Sequence, residues 1–464
     1  MRPLTPLQCV CLLVVCGGIS VLPGCGGSSS NSPNSPSSPS TPIPGAAIAG
    51  CQIKQINALK PPCPPGVSCT TASCTANSLS CSTLSQGNWN EFSQFILGSK
   101  AVYGVNIYVP WASVDTGTPG TASEYDFSSL DAQVNYYTAN YPGKKVNLLW
   151  MAVNYGSVNN SAGGVNEMTP AYVFTTSYAN NLGVAPQDVT YCTNYAGANG
   201  YGTANPQTVQ YTNASMSNFD STGYPVVYEK PFTTAYQNFI AAVLQHYKGN
   251  SSIGYMRFGL SVGDEADAYC TAQMQALPSP NTFESPTTWE TYVQTMDGFE
   301  SSQNPSMLLM ESLNALDTTP DPTTLPAFEA ATAVSNNFGF GSNGWQKNDI
   351  SDIASSNLTG CTADWCFLFN EYYKDTIVVN GATVPVPLEL QTAVPSDDTP
   401  SNAVGDLATL ISQSAAVEHA TILELSQDDL YLALESGYIP PDGNTSDATS
   451  YSSAITAPCN VPAN

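Results

Sequence analysis

From Lys100 to Glu435 short apolar bursts alternate with longer stretches whose apolar residues recur at helical spacing. That rhythm belongs to repeated β/α units around a parallel sheet. The bursts are Ala101–Trp111, Val146–Val153, a weaker Val189–Thr193, and Ile253–Val262. Met307–Leu313, Asn337–Gly341, Val384–Gln391 and Thr421–Leu425 follow. Eight is the number a closed barrel needs, so the expected class is α/β, a (β/α)8 TIM barrel. Pro231–Tyr247 predicts a helix, with proline in its first turn and an apolar stripe, running into the fourth burst. An open doubly wound sheet is the rival, but no glycine-rich phosphate loop follows the first burst.

The pattern is different before Lys100. Arg2, the apolar run Cys9–Leu22 and the sequence Leu22, Pro23, Gly24, Cys25 make a secretion signal over residues 1–25. Its apolar run is short for a bilayer span. The end resembles a bacterial lipobox, with Cys25 as the lipidated residue and Pro23 where a small residue is usual. Residues 26–50 are rich in Gly, Ser, Asn, Pro and Thr and read as a tether. Residues 51–99 hold a Cys- and Pro-rich cluster, expected as a small disulfide-stapled segment ahead of a barrel at 100–440. Residues 441–464 are expected as a tail packed on it. Setting aside Cys9, Cys11, Cys16 and Cys25 leaves ten of the 14 cysteines, an even number that points to disulfides in an exported protein. Cys361 with Cys366 and Cys192 with Cys270 are plausible pairs. Zinc is the alternative for the Cys51–Cys81 cluster, which contains no His. The expected location is outside the cytoplasm, lipid-anchored at the cell surface or outer membrane, otherwise periplasmic or extracellular.

Composition narrows the partners. Acids outnumber bases 36 to 11, a net charge of −25, which repels nucleic acid and anionic membranes. A neutral ligand such as a carbohydrate is compatible with that surface. The reading is a monomer that touches a membrane only through its lipid. No cofactor is implied, because neither a dinucleotide fingerprint nor a metal-ligand set occurs. Calcium on loop carboxylates stays open.

Chemistry in a (β/α)8 barrel belongs at the C-terminal strand ends. The inferred ends carry Trp111, Trp150, Asn154, Asn194, Glu265, Glu311, Asn314, Asn343, Trp345, Glu389, Gln391, Glu424 and Asp428. No His stands there, and no glycine-flanked nucleophilic Ser. His246 and His419 fall in helical stretches. The pattern therefore disfavours a Ser-His-Asp hydrolase or a His-rich metal site and points to carboxylate-pair chemistry.

The chain resembles the retaining glycoside hydrolases of the (β/α)8 superfamily that includes cellulases, β-mannanases and some β-galactosidases. The resemblance implies an acid/base Glu265 after the fourth strand, in Ser261-Val262-Gly263-Asp264-Glu265-Ala266, and a nucleophile Glu389 on the seventh, in Leu388-Glu389-Leu390-Gln391. Where the group carries Asn before its acid/base Glu, this chain has Asp264. The run Gly259 to Glu265 is also similar to the strand-4 region of β-amylases, which invert configuration. Glycoside cleavage needs one carboxyl to protonate the leaving oxygen and a second to attack or to activate water, ~5.5 Å apart when retaining and ~6.5–9.5 Å when inverting. Repulsion and burial should lift the acid above the ~4.3 of a free Glu.

Glu424 and Glu311 are substitutes for Glu389, while Asn370-Glu371 reads as part of a helix. Trp111, Trp150, Trp345 and Tyr155 suit stacking on sugar rings or filling a core alike. Asn154, Asp264, Asn314 and Gln391 complete the expected substrate contacts. Two further classes stay open: a non-catalytic glycan-binding lipoprotein on the same scaffold, and a structural or adhesive surface protein.

Overall fold

The computed structural model describes residues 55–59, 96–153, 168–191, 207–210, 223–261, 266, 286–313, 325–345, 364–392, 411, 419–426 and 430. Eight parallel strands close into a barrel in sequence order. They are β1 (Gln55–Leu59), β2 (Gly104–Pro110), β3 (Lys145–Met151), β4 (Ile253–Phe258), β5 (Leu308–Leu313), β6 (Gly339–Trp345), β7 (Leu388–Thr392) and β8 (Ile422–Ser426). Closure comes from β1 pairing with β8 on one side and β2 on the other, with Asn57 opposite both Glu424 and Gly104. The layer outside the strands includes α1 (Ser128–Asn140), α2 (Lys230–His246), α3 (Pro286–Ser302), α4 (Leu325–Ser335) and α5 (Asp364–Tyr372).

Period-two alternation sorts each strand into two faces. On β3, Val146, Leu148 and Trp150 join the large core between strands and helices. Leu149 instead packs with Tyr255, Met310 and Ile422 inside the barrel. α2 meets the outer face through Phe232, Tyr236, Phe239, Ile240 and Val243, a stripe at helical spacing. Its start, with proline in the first turn, matches the expectation from sequence.

Three expectations are corrected. The weak burst at Val189–Thr193 is not a barrel strand: Asp188–Tyr191 forms a three-stranded antiparallel sheet with Gln207–Gln210 and Gly223–Pro225. The barrel reaches eight strands instead through Gln55–Leu59, inside the segment expected to precede it. The burst at Val384 also begins too early. Ala382–Pro385 is one arm of a hairpin with Thr376–Val379, and β7 starts only at Leu388. The cysteine pairings, the tether and the signal segment lie outside the described residues.

β6 approaches β7 closely because Gly341 has no side chain. A Cβ there would lie 2.6 Å from the Cβ of Glu389 and 2.9 Å from its carbonyl oxygen. Gly341→Ala should therefore force β6 and β7 apart and lower stability by about 1–3 kcal/mol, the usual range for overpacking, read by urea unfolding.

Four carboxylates are buried outside the barrel, where β5 meets α3 and α4. They are Glu311, Asp297, Glu300 and Glu329. Trp289 Nε1 donates to Glu329 at 2.6 Å. The Glu311 carboxyl lies against that of Asp297, and the two share a hydrogen bond when Glu311 carries a proton. Burial first, then the charges of Asp297 and Glu329, push the Glu311 carboxyl well above the usual carboxylate range. Burial lifts Asp297 to about 7 and Glu300 well above its ordinary value. Glu311 thus faces the helices, and it is not the substitute for Glu389 that its place at a strand end suggested.

Candidate active site

The polar centre of the molecule lies in the barrel interior. Alternation brings Asn106 from β2, Asn147 from β3, Tyr255 and Arg257 from β4, Glu389 and Gln391 from β7, and Glu424 from β8 to one cluster. Glu389 and Glu424 are both 0 % exposed. A charge so enclosed persists only when paired and hydrogen-bonded. Arg257 Nη1 donates to Glu389 Oε2 at 2.9 Å, and its Nη2 lies 3.4 Å from Glu424 Oε2 and 3.5 Å from Gln391 Oε1. The fork of one guanidinium thus touches three side chains from two strands, which fixes their relative positions.

Tyr255 supplies the other bond to Glu389, its hydroxyl donating to Oε1 at 2.6 Å. The same hydroxyl also contacts Glu424 Oε1, as does the amide of Asn106. Asn147 Nδ2 donates to Asn106 Oδ1 at 2.7 Å and holds that amide in orientation. Burial first, then the charges of Glu389 and Glu424, keep the Tyr255 hydroxyl protonated far above its usual range. Burial, with the Glu389 charge second, also drives the Glu424 carboxyl well up, and Arg257 only partly offsets this.

The expected site residues divide sharply. Glu389 and Gln391 enter the cluster, and so does Glu424, the substitute for Glu389. Glu389 is the second residue of β7 rather than its last, so it sits deep in the lumen. Trp111 and Trp150 do not enter. Trp111 lies among Phe232, Tyr236 and Phe239, with ring centroids 4.9–5.7 Å apart, and its Nε1 donates to Asp115 at 2.9 Å. Trp150 stands edge-on to Phe239 and stacks with Phe258. Both tryptophans are fully buried between barrel and helices, which leaves neither a face for a sugar ring. Trp345 ends β6, and its side chain lies outside the described residues, as do Asn154, Asp264, Glu265, Asn314 and Tyr155. Ala266, the residue after Glu265, forms a parallel bridge with Leu313, the last residue of β5. Ala266 therefore lies at the C-terminal rim of the barrel.

The histidines and the Asn370-Glu371 pair are remote from this cluster. His246 ends α2, bonded to Asp131 and stacked on Phe127. Asn370 lies in α5 and meets His419 Nε2 at 3.0 Å. Among the described residues no group of His, Cys, Asp and Glu could hold a metal ion. No helix there is long and apolar enough to cross a membrane.

Sequence reasoning missed Asn106, Asn147, Tyr255 and Arg257. The available signal was a lone polar residue inside an apolar burst, as in Gly-Val-Asn106-Ile or Tyr-Met-Arg257-Phe, at a position that alternation places inside the barrel.

No family model and no curated protein matches this chain. Among solved structures, the chain is similar to an endo-glycoceramidase II from Rhodococcus sp., at 11% identity over 87% of this chain and 78% of that one, with a TM-score of 0.43. It is also similar to a β-galactosidase from the psychrophilic Marinomonas ef1, at 10% identity over 80% and 53%, with a TM-score of 0.41. An exo-β-1,4-mannosidase, Op5Man5, from Opitutaceae bacterium strain TAV5 is 14% identical over 82% and 53%, with a TM-score of 0.37. The chain spans about half the length of the last two.

Proposed function

We propose that the chain is a glycoside hydrolase of the retaining, two-carboxylate kind, with Glu389 as nucleophile and Glu265 as acid/base. The observation that carries the reading is the setting of Glu389. It is a carboxylate on β7 of a closed (β/α)8 barrel, held between a guanidinium and a phenol that orient it without consuming both its oxygens' lone pairs. Such a group can attack an anomeric carbon that descends into the lumen. Glu265 is assigned from its place in the sequence after β4, directly before Ala266, which pairs with Leu313. Gln391, on the same strand as Glu389, is the described side chain best placed to meet a sugar hydroxyl. The carbohydrate is a neutral polysaccharide or oligosaccharide, in keeping with the acidic surface. Export through residues 1–25 and a lipid on Cys25 would present the barrel to it outside the cytoplasm.

A second reading, glycan binding without cleavage, is favoured by the complete burial of Glu389 and by Asp264 in place of Asn. One experiment separates the two: the full barrel is incubated with aryl glycosides and with soluble β-glucans, mannans and galactans, and both release of product and retention of glycan are measured. Hydrolysis of at least one substrate is the expected result. Glycan retention with no product from any of them would establish the binding reading instead.

A further inference from the structure

Among the described residues the Tyr255 hydroxyl faces more acceptors than its one proton can serve. Tyr255 Oη lies within hydrogen-bond distance of both Glu389 Oε1 and Glu424 Oε1, and a phenol has a single proton to donate. Asn106 donates to Glu424 Oε1, and its carbonyl accepts from Asn147 Nδ2 at 2.7 Å and lies 3.4 Å from Tyr255 Oη as a third acceptor for that hydroxyl. The charges run the same way. Among the described residues two enclosed carboxylates face one guanidinium, and the groups that meet them from β2, β3 and β7 are the neutral Asn106, Asn147 and Gln391, with Tyr255 neutral on β4. A proton on Glu424 resolves both counts. It gives the second oxygen contact of Tyr255 a donor, and it brings the cluster of Glu389, Glu424 and Arg257 to zero net charge.

We propose that Glu424 is a positioning residue that holds a proton at neutral pH and donates it to the Tyr255 hydroxyl, so that the hydroxyl's own proton points at Glu389. The order is Glu424 Oε1–H to Tyr255 Oη–H to Glu389 Oε1, with no bond broken and no proton transferred at rest. This leaves Arg257 Nη1 to Glu389 and makes Glu389 the charged member of the pair. The displacement of the Glu424 carboxyl well above its ordinary range, from burial and the Glu389 charge, supports the arrangement. The inference rests on the proposed role of Glu389.

The test uses the full chain and two substitutions, Glu424→Gln, a fixed neutral mimic of the acid, and Glu424→Ala. Infrared difference spectra at pH 7 between wild type and Glu424→Gln should show the carbonyl stretch of one protonated carboxyl lost. This reading needs no activity, so it decides the proton even if no glycoside is cleaved. Where wild type cleaves, turnover by Glu424→Ala should fall about a hundredfold, and Glu424→Gln should recover at least a tenth of the wild-type rate. A difference spectrum in which no carboxyl band is lost on Glu424→Gln would overturn the proposal. So would a Gln variant as impaired as Ala, which would mean that Glu424 acts ionised, or an Ala variant with unaltered turnover, which would deny it any positioning role.

Discussion

Glu389→Gln should lower kcat/KM by about a thousandfold or more, roughly 4 kcal/mol of transition-state stabilisation at 1.36 kcal/mol per decade. The amide keeps the size and the hydrogen-bonding outline of the carboxylate but cannot form the glycosyl-enzyme bond. The fold should survive, because Arg257 retains a second carboxylate 3.4 Å away in Glu424, which can ionise once Glu389 no longer carries charge. Far-ultraviolet circular dichroism and a thermal melt check this. Arg257→Ala has no such reserve. It leaves buried carboxylate charge unpaired, and breaking a buried pair costs about 3–5 kcal/mol. Glu265→Gln should behave differently from both, with a deep loss on sugars whose leaving oxygen needs a proton and a shallow one on activated aryl glycosides.

Stability should be greatest in acid and fall as pH rises towards neutrality, the reverse of the usual carboxylate behaviour. An Asp or Glu whose folded pKa lies above its unfolded value binds its proton more tightly when folded. Its contribution is thus fully present below pH ~4 and lost as pH climbs through the folded value. For Asp297, raised from 3.8 to about 7, the loss falls between pH 4 and 7. Glu311 and Glu300, raised in the same cluster, extend the loss to higher pH. No Lys, Arg or His belongs to α3, α4 or β5, so no base among these elements offsets the charge. Asp115, lifted to about 7 by burial beside Trp111, acts in the same direction. Melting temperatures from pH 4 to 8 should therefore decline. Glu311→Gln, neutral at every pH, should melt about 5 °C or more above wild type at pH 8 and close to it at pH 4. A melting temperature that rises from pH 4 to 7 would show that the four carboxyls do not share protons.

Barrel strands β4, β7 and β8 could be found in the sequence because their outer positions are apolar, Met256 and Phe258, Leu388 and Leu390, Leu423 and Leu425, and β5 because Leu309 and Leu313 flank its one outward carboxylate, Glu311. β1 could not. Gln-Ile-Asn-Ala-Leu alternates polar and apolar over only four residues and sits in a Cys- and Pro-rich neighbourhood that suggests irregular chain. The start of β7 was blurred by the hairpin arm Ala-Thr-Val-Pro, which is as β-prone as the strand behind it. The tryptophans failed for a different reason. Strand parity decides whether a side chain faces lumen or helix, and a residue at a strand end is assigned to the wrong face by a one-residue error. Trp150 shares its parity with Val146 and Leu148, which face out, and Asn147 shares its own with Leu149, which faces in. Parity applied to Asn106, Asn147, Arg257 and Glu424 would have assembled most of the site. That Arg257 meets Glu389 from 132 positions away follows only from closure of the barrel.

The central claim is that Glu389 is the nucleophile of a retaining glycosidase. Labelling with an activated 2-deoxy-2-fluoro glycoside of whichever sugar is cleaved, followed by peptide mass spectrometry, tests it most directly. One glycosyl adduct per chain, on the peptide carrying Leu388-Glu389-Leu390-Gln391 and localised to Glu389, is the result expected. Sustained hydrolysis of the parent glycoside with no adduct on Glu389, or an adduct on Glu424 instead, would contradict it.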